Sequence, residues 1–228
     1  MDTVRFKALP QAEKLSCAQQ VLAQYHQQKE RSYYLEAYKD AEATYWYPLL
    51  NALDTALQTA GKKVLDVGTA YGTLLLYSAL SGARGYGLDM TDAYWSPQLE
   101  KDYGIAWARC NIESDPIPWE DTFDIVLFTE VLEHMNYNPI PVFRKLHASL
   151  ASGGVLLLST PWARAFTHRT AWTDILEVPY YKPGDPFVDA ECKYFTIDEI
   201  FVLASQTGFW LNSLQVYNGH LLVGFYKP

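Results

Sequence analysis

The stretch Asp66-Val67-Gly68-Thr69-Ala70-Tyr71-Gly72 places a carboxylate and two glycines at the junction between a run of buried-strand character and a segment of helical character. Glycine in such a turn removes the side chain that would keep a ligand from the backbone, and it admits positive φ. Amides at the start of the following helix favour anionic ligand groups. Asp66, at the strand's carboxyl end, can accept from an ammonium group or orient the loop. A second acid, Asp89, ends the run Gly-Tyr-Gly-Leu-Asp, 89 − 68 = 21 positions after Gly68. That is close to the ~20 expected of an acid that accepts from ribose hydroxyls. Two carboxylates ending neighbouring strands, with glycines between, describe a nucleoside site. A dinucleotide loop of the form G-x-G-x-x-G is poorly matched, because Ala70 and Thr73 stand at its second and third glycine positions.

A second set of reactive side chains follows in Thr129-Glu130-Val131-Leu132-Glu133-His134-Met135. Histidine is the side chain best suited to accept a proton near neutral pH, and His134 lies in the loop after a strand, where such folds bind ligands. His134 is therefore the candidate base, with Glu130 beside it. On a helical turn, Glu130, Glu133 and His134 would share a face and could hold a divalent cation. The reading adopted is no metal, the acids positioning the site instead. His168 and His220 read as surface or hairpin residues.

The elements that position these residues alternate. Apolar runs of strand length occur at Lys63–Gly68, Ala83–Asp89, Gly104–Cys110, Phe123–Thr129 and Gly153–Thr160, and helices fit Thr73–Ser81, Pro97–Tyr103 and Pro139–Leu150 between them. Strands that are apolar almost throughout and alternate with helices imply a parallel sheet covered on both faces. Residues 14–60 have helical periodicity, broken or bent at Pro48, and read as a helical cap (residues 1–60) on a domain of residues 61–228. Near the end, Thr196 and Glu199 form a capping box, Phe195 and Ile200 a hydrophobic staple, and Gly208 a stop. Asn218-Gly219 then joins two strands in a tight hairpin.

The totals exclude several classes. Eighteen basic against 26 acidic residues leave a net charge of −8, with no basic cluster for a nucleic-acid backbone or an anionic lipid. Three scattered cysteines, Cys17, Cys110 and Cys192, suggest reduced thiols. The segment Met1–Lys14 has no apolar signal region and no run approaches the ~20 residues of a membrane span. The expectation is a soluble cytoplasmic protein with a small-molecule partner.

Taken together, these motifs resemble the class I S-adenosylmethionine-dependent methyltransferases. Val64–Gly72 resembles their first motif, commonly DxGxGxG, with Ala70 in place of the middle glycine, a substitution that suits a negative φ. Gly85–Met90 resembles the second, and Ala108–Met135 the stretch that frames adenine and ends the fourth strand. The fifth-strand region, Leu146–Pro161, and the terminal hairpin with its reversed strand also match. The resemblance covers roughly residues 60 to 228. It implies a Rossmann-like, doubly wound, mostly parallel seven-stranded α/β sheet with an antiparallel C-terminal hairpin strand. It also implies S-adenosylmethionine as cofactor, with S-adenosylhomocysteine as product. Asp66, Gly68, Thr69 and Gly72 would hold the methionine end, Asp89 and Met90 the ribose, Asn111 and Ile112 the adenine, with Thr129 beside them.

The implied reaction is methyl transfer to a small molecule, most readily to a hydroxyl of a sugar or phenol. Methylation of a small amine, nicotinamide-dependent oxidoreduction and a non-catalytic scaffold remain as alternatives. Acceptor contacts are expected from Tyr33, Tyr34, Tyr45 and Trp46 of the cap, from Tyr94 and Trp95, and from an insert over residues 161–193. Within that insert, Glu191 and Lys193 stand where related sequences often carry His and Arg.

Overall fold

A computed structural model describes residues 2–26, 34–166, 172 and 174–228. Tyr33, His168 and part of the insert lie outside them. Seven strands form one sheet: β1 (Lys63–Val67), β2 (Arg84–Asp89), β3 (Ala106–Arg109), β4 (Phe123–Thr129), β5 (Leu150–Pro161), β6 (Trp210–Tyr217) and β7 (His220–Tyr226). Their spatial order is β3-β2-β1-β4-β5-β7-β6. Neighbours from β3 to β5 run parallel, whereas β7 is antiparallel to both β5 and β6. This is the Rossmann-like α/β arrangement implied by the sequence.

The central strands are apolar throughout because both faces are covered. In β4, Ile125 and Leu127 face one cluster while Val126 and Phe128 face the other, the period of two expected of a strand. The first cluster receives α1 (Thr3–Lys7), α2 (Gln11–Tyr25), α3 (Lys39–Tyr45, preceded by a π-helical turn over Tyr34–Tyr38), α4 (Tyr47–Ala56), α5 (Thr73–Leu80) and α6 (Gln98–Tyr103). Phe6, Leu15, Leu22, Leu50 and Leu53 of the N-terminal helices share this core with Leu74, Leu75 and Leu76 of α5. The opposite face receives α7 (Ile140–Ser149) and α8 (Ile197–Thr207). Among the described residues no helix is long and apolar enough to cross a membrane.

Local signals act as their chemistry requires. Pro48 sits in the first turn of α4, where its missing N–H costs nothing. Asn218 (φ 47°) and Gly219 (φ 83°) adopt the two left-handed conformations of a hairpin turn. Leu150 departs from expectation: it opens β5 instead of closing α7. A register shift between Phe123 and Ile125 lets β5 begin early, and Gly153 turns at φ 79° within it.

At the start of α8 the Thr196 side chain accepts from the Glu199 amide while the Glu199 carboxylate accepts from the Thr196 amide at 2.8 Å. The same carboxylate pairs with Lys193 at 2.7 Å, both side chains below a tenth exposed. Thr196→Ala should cost about 1 kcal/mol, lowering the melting temperature by about 2–4 °C. Glu199→Ala also strands a buried ammonium and should cost about 3–5 kcal/mol. Thermal melts of the two variants read the difference.

Candidate active site

The glycine loop leaves β1 at the carboxyl edge of the sheet, and its amides point inward. Those of Gly68 and Thr69 donate to the Leu88 carbonyl at 2.8 and 3.3 Å, and that of Gly72 to the Thr69 carbonyl at 2.7 Å. The Ala70 amide donates to Asp89 Oδ2 at 3.0 Å. These four amides are satisfied within the protein and are not free donors for a pyrophosphate. The amides expected to favour an anionic ligand, those at the start of α5, are not among these four. Aiming the Ala70 amide at Asp89 also sets Ala70 at φ 44°, not at the negative φ that alanine prefers.

The glycines serve packing as much as ligand access. A Cβ on Gly68 (φ 76°) would lie 2.4 Å from Val131 Cγ2, and one on Gly72 (φ 81°) 2.9 Å from Trp95 Cζ3. The room they leave is filled by side chains of the protein.

Asp66 and Asp89 lie at the carboxyl ends of adjacent strands, two positions out of register, and their surroundings differ. Asp89 accepts from the Ala70 and Thr91 amides. Burial raises its pKa, and these donors act against the rise. Asp66 is 3 % exposed, and its Oδ1 meets no hydrogen-bond donor among the described residues. Burial, reinforced by the charge of Asp89, pushes Asp66 up to about 8. A buried carboxyl without a donor is incomplete and suits a cationic partner such as the ammonium of a methionine moiety.

The other sequence-predicted residues lie around this edge. The Thr69 hydroxyl accepts from Trp107 Nε1 at 3.1 Å. Met90 is 41 % exposed, while Ile112 and Thr129 are buried. The Asn111 carbonyl oxygen is engaged locally by the Glu113 amide at 3.0 Å.

At the end of β4 the structure separates the two proton-handling candidates. His134 closes a single 3₁₀ turn, Leu132–His134, with its Nδ1 buried and without a partner among the described residues. The imidazole bonded to Glu130 is that of His220, its Nε2 3.3 Å from Glu130 Oε2. Burial lowers the His220 pKa, but the hydrogen bond and charge of Glu130 outweigh it, so the net direction is upward. Glu133 is wholly buried and accepts from the Thr160 hydroxyl at 2.9 Å. Burial, and then the proximity of Glu130, raise its pKa well above the carboxylate range. Among the described residues no three His, Cys, Asp or Glu side chains are grouped to hold a metal ion.

Sequence reasoning treated His220 as a hairpin residue and missed Thr160 and Val131. The reversal of β7 explains the first miss: His220 begins a strand running opposite to β5 and pairs with Pro161, so it arrives at the carboxyl edge beside β4. No linear spacing signals such a meeting.

The aromatic candidates also divide. Tyr34 and Trp46 are buried core residues, and Trp95 stacks on Trp107 at 5.4 Å and is 3 % exposed. Tyr94 is well exposed, its ring 5.2 Å from that of Tyr71, and the side chain of Tyr45, like Tyr33, lies outside those described. Both ends of the insert return to the site: the Trp162 amide donates to the Gly219 carbonyl, and the Cys192 and Lys193 amides donate to the Glu133 carbonyl.

A family model described as a methyltransferase domain matches residues 38–214. The chain belongs to this family, within the class I S-adenosylmethionine-dependent methyltransferases. It is 35 % identical over 115 residues to a ubiquinone biosynthesis O-methyltransferase of Pseudomonas syringae pv. tomato, covering 49 % of each chain. The chain thus spans about half the length of the curated relatives it matches. In fold it is similar to a putative S-adenosylmethionine-dependent methyltransferase from Listeria monocytogenes (TM-score 0.62, 20 % identity, 82 % of this chain and 99 % of that one). It is likewise similar to magnesium protoporphyrin IX methyltransferase from Synechocystis PCC 6803, solved with S-adenosylhomocysteine (TM-score 0.54, 17 % identity, 78 % of each).

Gly68→Ala should combine a left-handed alanine with a collision against Val131, at a cost of about 2–4 kcal/mol. Adding Val131→Ala should recover part of this by removing the collision but not the backbone strain. Denaturant unfolding of the single and double variants measures the recovery.

Proposed function

We propose that this chain transfers a methyl group from S-adenosylmethionine to a hydroxyl of a small molecule, a sugar or a phenol. The observation that carries the reading is the buried Oδ1 of Asp66, without a donor among the described residues, beside a loop four of whose amides are occupied. This is an arrangement for a cationic amino-acid end and a ribose, not for a pyrophosphate. Asp66 with Gly68, Thr69 and Gly72 would receive the methionine end, Asp89 and Met90 the ribose, and Asn111, Ile112 and Thr129 the adenine side. The cofactor supplies an activated methyl on a sulfonium, so the protein contributes alignment, a dry pocket and a proton acceptor. Glu130 and His134, at the end of β4, are the candidates for accepting the hydroxyl proton. The insert over residues 161–193, with the exposed ring of Tyr94, would meet the acceptor. The Pseudomonas relatives named for O-methylation support a hydroxyl acceptor.

Incubation with methyl-labelled S-adenosylmethionine and a panel of sugars, nucleotide sugars, phenols and amines tests the reading. Label on a sugar or phenol is expected. Label on amines alone, or none, overturns it.

Asp66 gives an independent test. A carboxyl raised on folding from 3.8 to about 8 contributes stability that is fully present below the ordinary aspartate range. That contribution is lost as pH rises through about 8. An arriving ammonium favours the ionised form, so binding S-adenosylhomocysteine at pH 7 should release a proton. Calorimetry in phosphate and Tris should reveal the release as a buffer-dependent enthalpy, and Asp66→Asn should abolish it while weakening binding.

A further inference from the structure

Two side chains face the Glu130 carboxylate, His220 from the hairpin and Glu133 from the 3₁₀ turn. His220 Nδ1 lies 3.0 Å from the Asn218 carbonyl, which can only accept, so Nδ1 carries hydrogen and Nε2 is the nitrogen that exchanges a proton. Nε2 faces Glu130 Oε2 at 3.3 Å, with the two side chains 13 % and 20 % exposed. On the other side stands Glu133, whose own Oε2 accepts from Thr160 and whose pKa burial, and then Glu130, raise well above the carboxylate range. Glu130 Oε1 is buried and meets no donor among the described residues.

Glu130 itself has φ 53°, a left-handed conformation that a non-glycine residue adopts at a cost and that concentrates at functional sites. Its amide is tied to the Ser159 carbonyl at 2.9 Å. The next residue, Val131, fills the hollow of Gly68 in the glycine loop, so the backbone that carries Glu130 packs against that loop. His134, by contrast, makes no hydrogen bond to Glu130 among those of the described residues.

We propose that Glu130 and His220 act as one proton-accepting pair for methyl transfer, Glu130 as the catalytic residue that meets the acceptor hydroxyl and His220 as the residue that positions it and stores the proton. This rests on the methyl-transfer reading above. As the acceptor oxygen bonds to the methyl carbon, the methyl–sulfur bond breaks and its electron pair neutralises the sulfonium. The hydroxyl O–H bond breaks, and the proton passes to Glu130 and on to Nε2, leaving imidazolium beside carboxylate. The positive charge lost from sulfur is thereby carried by the pair.

The other groups facing the pair are Glu133 from the 3₁₀ turn and Tyr194 at the end of the insert, the latter hydrogen-bonded to Glu191. The Phe166 ring lies 5.4 Å from that of His220. The hairpin is held to the cap by a hydrogen bond from Asn218 Nδ2 to the Thr44 carbonyl, so the imidazole is mounted on a braced turn.

Two measurements decide the proposal. In NMR titration of isotope-labelled histidines, His220 should titrate above the ordinary ~6.5 in the wild type and fall in Glu130→Gln. With the best acceptor from the panel, the rise of kcat with pH should follow the His220 titration. In His220→Gln that rise should move to lower pH, with kcat reduced about tenfold or more and KM for S-adenosylmethionine unchanged. Glu130→Gln should lose about 10²–10⁴-fold. Unchanged affinity for S-adenosylhomocysteine certifies that both variants are folded.

A His220 titration indifferent to Glu130→Gln overturns the proposal. So does an unmoved pH profile in His220→Gln accompanied by collapse in His134→Ala. Failure of the methyl-transfer reading is separate, since it appears as an inactive wild type before any variant is compared.

Discussion

One buried carboxyl, Asp66, whose Oδ1 has no donor among the described residues, is the constraint around which the carboxyl edge of the sheet is arranged. Its neighbour Asp89 takes two amides, and three further amides of the loop, those of Gly68, Thr69 and Gly72, donate to Leu88 and Thr69. Asp66 is left buried and uncompensated, and burial of an unpaired charge is among the costliest arrangements a fold can hold. In the free protein the cost is reduced by protonation, which is why burial and the charge of Asp89 drive Asp66 to about 8. A cationic ligand removes it altogether. The stability of the site and its preference for ligand charge are therefore one property.

The sheet makes that arrangement rigid. Val64, Leu65 and Val67 anchor β1 in both cores, so Asp66 has no freedom to swing towards water. Val131 and Trp95 occupy the hollows of Gly68 and Gly72 and lock the loop from two sides. A looser loop could free its amides for a phosphate; this one is clamped by the packing of Val131 and Trp95. The edge thus favours one cofactor chemistry through steric constraint as much as through hydrogen bonding.

A second buried acid links the N-terminal helices to the same loop. Glu42 of α3 accepts from the Thr73 hydroxyl at 2.5 Å and from Gln19 at 2.9 Å, and burial pushes it up to about 8. Thr73 is the first residue of α5, directly after Gly72. The cap is therefore joined by polar contacts to the helix that follows the glycine loop, in addition to the shared apolar core. On the opposite side, the Asn218 hydrogen bond to Thr44 brings the hairpin to the same cap.

The sequence by itself determined the parts of this protein that depend on local chemistry. Alternating strand and helix patterns, the Thr196–Glu199 box, the Asn218-Gly219 turn and the Asp66-to-Asp89 spacing are short-range, and each is present in the fold. Residues 38–214 carry enough of that pattern to place the chain in its family. Only the tertiary structure decided which side chains meet. Ala70 is left-handed because Asp89, on another strand, attracts its amide. Trp95 is core because Trp107 and Gly72 surround it, although its loop context read as a pocket wall. Glu130 meets His220 and not His134, because a reversed last strand delivers its first residue to the edge where β4 ends. Such meetings depend on strand order and direction, which the whole chain sets at once and no local spacing records.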